Sequence, residues 1–163
     1  MAEFKGVYDR ILDDKNRLPI AAPFRKILEY EFLDKSTRSL ELRMREDPLG
    51  FVWIECLVNS VVEEEIKNAH RNLVPRSDEW MVFWLGEMAN SVTVNLDGQG
   101  RILIPQEYLD RARISKQCKI TGMGTYFTIW SHEQWEIFRQ KKCTQERVSE
   151  VLKKVWGSSS ERD

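Results

Sequence analysis

Basic side chains are concentrated near the start of the chain. Five positively charged residues fall within 17 positions, namely Arg10, Lys15, Arg17, Arg25 and Lys26. An arginine guanidinium can make a bidentate contact with a guanine edge or a phosphate, whereas a lysine contacts phosphate as a point charge. We therefore predict a contact with DNA that is led by Arg17. Lys15 and Lys26 are expected to contact phosphate and set the register. Lys15, Arg10 and Arg25 are expected to support the contact made by Arg17.

A sequence repeat places a second arginine in the same frame. Leu12–Ile20 reads LDDKNRLPI, and Leu96–Ile104, 84 positions later, reads LDGQGRILI. Both copies keep an Asp-x-x-x-Arg frame with apolar residues on either side. The repeat predicts the same local structure twice, and it makes Arg101 a further candidate for DNA contact.

The Asp-x-x-x-Arg frame also permits a purely structural role. Asp13 can pair with Arg17 across a turn, and Asp97 can pair with Arg101 in the same way. For Arg101 the two interpretations are equally supported, because Gln99 stands where the first copy has Lys15. For Arg17 we favour contact with DNA.

Each repeat is expected to form two strands around a tight turn. From Val92 to Leu96 apolar and polar residues alternate, which is typical of a half-buried strand. The glycine-containing segment 97–100 predicts the turn, and 101–104 predicts the returning strand. In the first copy Asn16 stands at the tight position, and asparagine tolerates left-handed backbone geometry better than most residues.

A helix and two further strands are predicted after each repeat. The helices are expected at 23–28 and 106–112, and the strands at 40–44, 51–54, 118–122 and 126–130. Each half therefore has the order strand, turn, strand, helix, strand, turn, strand. This order predicts an α+β fold built from two equivalent β-rich halves.

Helical periodicity links the halves and continues to the end of the chain. Apolar residues at helical spacing predict a helix over 61–76, ended by Pro75. Ser131 is expected to cap another helix, with Gln134 completing a capping box, and an amphipathic stretch follows at 148–156. The predicted divisions are a half-module at 4–60, a helical connector at 61–90, a half-module at 91–135, a C-terminal helical segment at 136–156 and a disordered tail at 157–163.

Three segments of the chain resemble a known family. They are 4–18, which includes FKGVY and LDDKNRL, 97–105, which reads DGQGRILIP, and 122–135. Together they resemble the MraZ proteins from residue 4 to residue 138. The resemblance implies two AbrB-like half-modules with swapped hairpins, which form a pseudo-dimer inside one chain. It also implies ring-shaped homo-oligomers that bind direct repeats in promoter DNA and regulate the division and cell-wall gene cluster.

The first copy departs from the family pattern at two positions. The family's Asp-x-Lys-Gly-Arg motif falls on Asp13, Lys15, Asn16 and Arg17, so that Asn16 stands where the family has glycine. Ala21 stands where a proline follows the returning strand, and 61–64 lacks the tryptophan that the second half has as Trp135. We expect the turn to survive these changes, with an altered angle of the helix that follows.

The overall charge limits how such a chain can bind DNA. Its formal net charge is −1, whereas a small monomeric DNA-binding domain is usually basic. We therefore expect the positive charge to lie on one face, or several copies to bind together. No apolar run is long enough to span a bilayer, and no signal peptide is evident. These features predict a cytoplasmic, nucleoid-associated protein with no membrane partner.

No cofactor or metal site is expected. Cys56, Cys118 and Cys143 are far apart, which favours free thiols over a disulfide or a zinc site. His70 and His132 lie outside any metal-binding spacing. The carboxylates in the turns have no nucleophile constellation, phosphate loop or metal motif beside them. We therefore predict no catalysis and no small-molecule substrate.

Two non-enzymatic alternatives stay open. Antitoxins share the AbrB-like fold and neutralise toxins, although they usually have one half-module and a shorter chain. A pure assembly module is the other alternative, because the chain has six tryptophans, some of which can line subunit contacts. Rings without affinity for DNA would favour that alternative.

Overall fold

The computed structural model describes residues 3–31 and 38–157 and has the α+β fold expected from the sequence. The strands are β1 Val7–Ile11, β2 Arg17–Pro19, β3 Ser39–Glu46, β4 Val52–Val58, β5 Ser91–Asn95, β6 Arg101–Leu103, β7 Gln117–Gly122 and β8 Phe127–Ser131. The helices are α1 Ala22–Glu31, α2 Asn59–Asn72, α3 Asp78–Phe83, α4 Gln106–Arg111, α5 His132–Lys142 and α6 Gln145–Val155, with a π-helical turn at Trp84–Met88. The predicted order of elements within each half is confirmed.

In the part of the chain that the structure describes, eight strands form one large sheet and one small one. The six-stranded sheet has the order β1-β7-β8-β4-β3-β5, and every neighbouring pair is antiparallel. The order is symmetric about its centre, because β1 corresponds to β5, β7 to β3 and β8 to β4. The two halves are therefore related by a pseudo-twofold axis between β4 and β8. Each half gives its first strand to the other, since β1 pairs with β7 and β5 pairs with β3.

The returning strands of the two repeats pair with each other. Strands β2 and β6 form a separate antiparallel ribbon in which Leu18 is opposite Ile102. The exchange continues past the ribbon, because Ile20 donates its N–H to the carbonyl of Gly100 and Ile104 donates to Asn16, each at 3.0 Å. The hairpins are thus swapped between halves, as the family resemblance implied.

A single hydrophobic core joins the halves. Leu18 and Ile102, which form the inner face of the ribbon, are fully buried. Beneath them Phe24 of α1 contacts Phe127 of β8, with ring centroids 5.3 Å apart. Neither half could bury these side chains alone, so the halves are expected to fold as one unit.

The helices differ from the predicted segments at their ends. Helix α2 covers Asn59–Asn72 instead of 61–76, because Val74 precedes Pro75 and a residue before proline avoids helical geometry. The connector 61–90 also contains α3 and the π-helical turn. The C-terminal helical segment begins inside α5, at residue 136. The half-module boundaries stay predictions, and of the predicted tail at 157–163 only Gly157 is among the described residues.

The expected capping box at α5 is only half formed. Ser131 accepts the N–H of Gln134 at 3.2 Å, which confirms Ser131 as the N-cap. The buried side chain of Gln134, however, does not return to Ser131. Its Oε1 accepts the N–H of Val52 at 2.9 Å, and its Nε2 donates to the carbonyls of Val52 and Ala112. The prediction was wrong because the start of β4 and the end of α4 present buried backbone groups that need a partner.

A buried arginine links the large sheet to the connector. Arg43 of β3 is 1% exposed, and its Nη1 lies 2.8 Å from Glu65 of α2 and 3.5 Å from Glu87 of the π-helical turn. Arg45, two residues along the strand, donates to Glu87 at 2.6 Å. The hydrogen bonds from Arg45 lower the pKa of Glu87, although partial burial acts in the opposite direction. Among the described residues, no helix is long and apolar enough to cross a membrane.

Candidate nucleic-acid interface

An aspartate organises the turn in each repeat. Asp13 Oδ1 accepts the backbone N–H groups of Lys15 and Arg17, both at 2.9 Å. Asp97 Oδ1 accepts the corresponding N–H groups of Gln99 and Arg101 at 2.9 Å. The aspartate of the Asp-x-x-x-Arg frame is thus required by the turn itself, because its side chain replaces backbone partners that a tight turn cannot supply.

Left-handed geometry occurs where the sequence predicted it. Asn16 has φ 62° and Gly100 has φ 75°, which are equivalent positions of the two turns. The side chain of Asn16 also donates to Gln106 of α4 at 2.9 Å. The replacement of glycine by asparagine therefore keeps the turn and adds a contact to the other half.

Each arginine of the frame forms an ion pair with its aspartate. Arg17 Nε lies 2.6 Å from Asp13 Oδ2, and Arg101 Nε lies 2.9 Å from Asp97 Oδ2. A longer contact of 3.7 Å joins Arg101 Nη1 to Asp13 Oδ2, so the two turns lie side by side. The side chains of Arg17 and Arg101 are still 34% and 25% exposed. Among the described residues, no partner is seen for the Nη atoms of Arg17.

The ion pairs keep both carboxylates charged. Hydrogen bonds from the backbone and side chain of Arg17 lower the pKa of Asp13 to about 2. For Asp97, desolvation raises the pKa, but hydrogen bonds from Arg101 and Gln99 outweigh it, so the pKa is lowered. The structural alternative considered for the frame is therefore present in both repeats. Each ion pair holds its guanidinium by the Nε atom.

The ribbon brings the two arginines onto one face. Arg17 is opposite Leu103 and Arg101 is opposite Pro19, and residues directly opposite in an antiparallel pair point to the same side. Because side chains alternate along a strand, all four lie on the face opposite the buried Leu18. None of the four is buried, and Leu103 is 57% exposed. We call this surface, Arg17, Pro19, Arg101 and Leu103, the ribbon face.

Two other predicted residues lie at the turns beside the ribbon face. Lys15 is exposed within the first turn. Arg25 extends from α1 across to the second turn, where its Cδ atom is 2.3 Å from the position that a Cβ on Gly100 would occupy. Its Nε is buried and, among the described residues, has no hydrogen-bond partner. Gly100 is therefore needed for the approach of Arg25 as well as for its positive φ.

Arg10 is the predicted residue that lies neither on the ribbon nor at its turns. It lies on the edge strand β1, opposite Cys118, and its Nη1 donates to its neighbour's carbonyl, that of Asp9, at 2.7 Å. Its guanidinium lies 5.6 Å from the ring centroid of Tyr8, and it lines a surface pocket with Ile11 and His132. Arg10 was expected to act with Arg17 because the two residues are close in the sequence. In the structure, however, Arg10 belongs to the large sheet, where β1 pairs with β7, and Arg17 belongs to the ribbon.

Comparison with known proteins covers both halves. A family model described as "MraZ protein, putative antitoxin-like" matches residues 88–154. A Clostridium acetobutylicum protein is 31% identical over 152 residues, which is 93% of this chain and 98% of that protein. A Mesomycoplasma hyopneumoniae protein is 30% identical over 96% of the chain and 98% of its own length. A Leuconostoc citreum protein is 33% identical over 83% of the chain and 85% of its length. Each of these relatives is named "Transcriptional regulator MraZ".

The chain belongs to the MraZ family. The family model covers the second repeat, while the full-length relatives extend the match through the first, which carries the departures Asn16 and Ala21. The resemblance noted from sequence segments is thereby confirmed.

One basic residue of this MraZ chain was missed in the sequence. Lys116 lies 3.7 Å from Asp14 and is 69% exposed, so it adds a positive charge beside the first turn. The carbonyl of Lys116 also accepts the N–H of Leu12, which enters that turn. No local signal could have identified it, because only the pairing of β1 with β7 brings residue 116 to residue 14.

The chemistry of the remaining candidate ligands is unremarkable. Cys56 and Cys118 are buried free thiols, and burial raises the pKa of Cys118 to about 12. Cys143 is a free thiol at the surface. The described residues contain no group of three or more His, Cys, Asp or Glu placed to hold a metal ion.

Proposed function

We propose that this chain is a DNA-binding transcriptional regulator that contacts DNA through its ribbon face. One observation carries the proposal: the arginines of both repeats, Arg17 and Arg101, lie on one solvent-facing side of a two-stranded ribbon. A ribbon of this kind fits the major groove of B-DNA. Lys15 and Arg25 lie at its turns, where they can contact phosphates. Arg10 would make at most a contact from the sheet edge.

The ion pairs are compatible with this proposal. A guanidinium held at Nε by a carboxylate still presents two Nη groups, which can donate to guanine O6 and N7 or to phosphate oxygens. The carboxylate also orients the side chain before binding, which reduces the entropy lost on contact. The names of the relatives support a role in transcription.

The assembly is part of the proposal. Two aspartates offset two arginines at each ribbon face, so one copy attracts DNA only weakly. We propose that several copies form a ring-shaped homo-oligomer on direct repeats in promoter DNA, as the family resemblance implies. The target would be the division and cell-wall gene cluster, and the protein would work in the cytoplasm at the nucleoid.

The test is DNA binding by the full chain, measured by fluorescence anisotropy with a duplex from upstream of its own gene. We expect Arg17→Ala to weaken binding by about 1–3 kcal/mol per contact, or roughly five- to more than a hundred-fold. Arg71→Ala is the matched control, because Arg71 is an exposed arginine on α2, outside the ribbon face. Equal binding by wild type and Arg17→Ala, with the fold intact, would contradict the site.

A further inference from the structure

Helix α6 exposes an apolar stripe. Val148, Leu152 and Val155 are spaced to lie on one side of the helix, and Leu152 and Val155 are 49% and 68% exposed. Trp156, directly after the helix, is exposed as well. Every residue of α6 is exposed, although an isolated helix of 11 residues is only marginally stable in water. The stripe therefore needs a partner to cover it.

A second apolar patch lies on the connector. It consists of Met81, Val82 and Leu85, of which Val82 and Leu85 are 65% and 68% exposed. The opposite side of the same segment is anchored, because Trp80 contacts His70 of α2 with ring centroids 4.9 Å apart. We call these three residues the connector patch. Within one copy, no residue that the structure describes covers this patch.

The stripe and the connector patch belong to elements that have corresponding places in the chain order of the two halves. Helix α2 packs on β3 and β4, and α5 packs on β7 and β8, so the two helices are related by the pseudo-twofold axis. Helix α3 follows α2, and α6 follows α5. In the described part of the chain, each half therefore carries an exposed apolar surface on the helix that follows its sheet-packed helix.

Charge complementarity favours contact between these two surfaces. Asp78 and Glu79 are in the first turn of α3, next to the connector patch. Lys153 and Lys154 are in the last turn of α6, next to the stripe. Opposite charges at the border of an apolar contact fix its register and exclude wrong pairings.

We propose that α6 of one copy docks its stripe on the connector patch of the next copy. The contact is head-to-tail, so repetition closes a ring if the rotation per copy allows it. One such contact covers both apolar surfaces, whereas pairing of α6 with α6 would leave the connector patch in water. The inference rests on the proposed self-assembly but not on DNA binding.

The test uses two variants of the full chain, each with one surface blocked. Leu152→Asp with Val155→Asp blocks the stripe, and Val82→Asp with Leu85→Asp blocks the connector patch. All four residues are exposed, and circular dichroism checks that both variants fold. Native mass spectrometry and sedimentation velocity then give the masses of each variant and of a 1:1 mixture.

We expect wild type to form large oligomers and each variant alone to be monomeric. The mixture should form a dimer and nothing larger, because only one productive contact exists between the two variants. Dimers of the variant with the blocked connector patch would show that α6 pairs with α6 and would overturn the proposal. Wild-type masses in either variant, or a mixture that stays monomeric, would also overturn it.

A charge-reversal pair tests the orientation of the contact. Lys153→Glu with Lys154→Glu should weaken assembly, and adding Asp78→Lys with Glu79→Lys should restore it. Failure of restoration would contradict the proposed register. DNA binding is measured on the same samples, and Arg17→Ala should keep the oligomer mass while losing DNA affinity. Failure of the DNA proposal and failure of the docking proposal therefore give different results.

Discussion

At the scale of single residues, Asp13 performs two tasks with its two oxygens. Oδ1 closes the turn by accepting two backbone N–H groups, and Oδ2 holds the guanidinium of Arg17. The sequence allowed either a structural role or a DNA-binding role for this frame. The two roles are compatible, because the ion pair uses Nε of Arg17 and the side chain stays 34% exposed.

Gly100 is the residue in the second turn that is least replaceable. Gly100→Ala puts a methyl group where Arg25 Cδ lies 2.3 Å away, on a backbone with φ 75°. We expect a loss of at least about 1–2 kcal/mol in the free energy of unfolding, because an L-residue is strained at positive φ and the Arg25 side chain must move. Urea unfolding of both proteins measures the loss.

Gly98→Ala is the matched control in the same turn. A Cβ at Gly98 meets nothing within 4 Å, so the variant should be nearly neutral. In a double-mutant cycle, Arg25→Ala should relieve part of the cost of Gly100→Ala but not the part due to φ. If the two changes in the free energy of unfolding are fully additive, the Arg25 side chain does not contact the added methyl group.

At the scale of elements, local pattern predicted what each segment becomes but not which segment it pairs with. Alternating residues and the turn at 97–100 identify β5 and β6 because strand periodicity is local. The pairing of β2 with β6 depends on the swap between halves, and the register of one short strand carries no information about its partner. Gln134 was misassigned for the same reason, since its partners at Val52 and Ala112 are remote in sequence.

The connector depends on Arg43 more than on its own helix propensity. We predict that Arg43→Met lowers the free energy of unfolding by about 3 kcal/mol, because it leaves Glu65 without its arginine and leaves Glu87 with Arg45 alone. This loss is at the lower end of what removing one partner of a buried ion pair usually costs, since both carboxylates are about one-third exposed and water screens their charge. Urea unfolding gives the stability, and hydrogen exchange should show faster exchange in α2 and the π-helical turn.

Arg71→Met provides the comparison for Arg43. Arg71 is exposed on α2, and its recorded side-chain contact is a 3.4 Å hydrogen bond to Asn68. Its replacement should change stability by less than about 0.5 kcal/mol. A similar small effect for Arg43→Met would mean that the buried network does not hold the connector.

At the scale of the whole molecule, the net charge of −1 was the most informative number in the sequence. It required either a concentrated basic face or several copies acting together. The structure has a ribbon face whose arginines are partly neutralised by aspartates. This supports the second alternative, in which several copies act together. The surfaces that would join the copies could not be identified from sequence, because amphipathic patterns at 148–156 do not reveal whether a helix packs internally.

Assembly should determine how strongly DNA binding depends on salt and on repeat number. Each phosphate neutralised adds about 0.9 to the slope of log affinity against log salt, so an oligomer that engages several repeats has a steep slope. A duplex with several repeats should be bound far more tightly than one with a single repeat, because linked sites act at high effective concentration. Fluorescence anisotropy at about 50 and 200 mM salt measures both effects. The variant with a blocked stripe, whose ribbon face is unchanged, should lose the preference for several repeats and have a shallower slope. Equal affinity of wild type for one and several repeats would mean that each copy binds DNA independently.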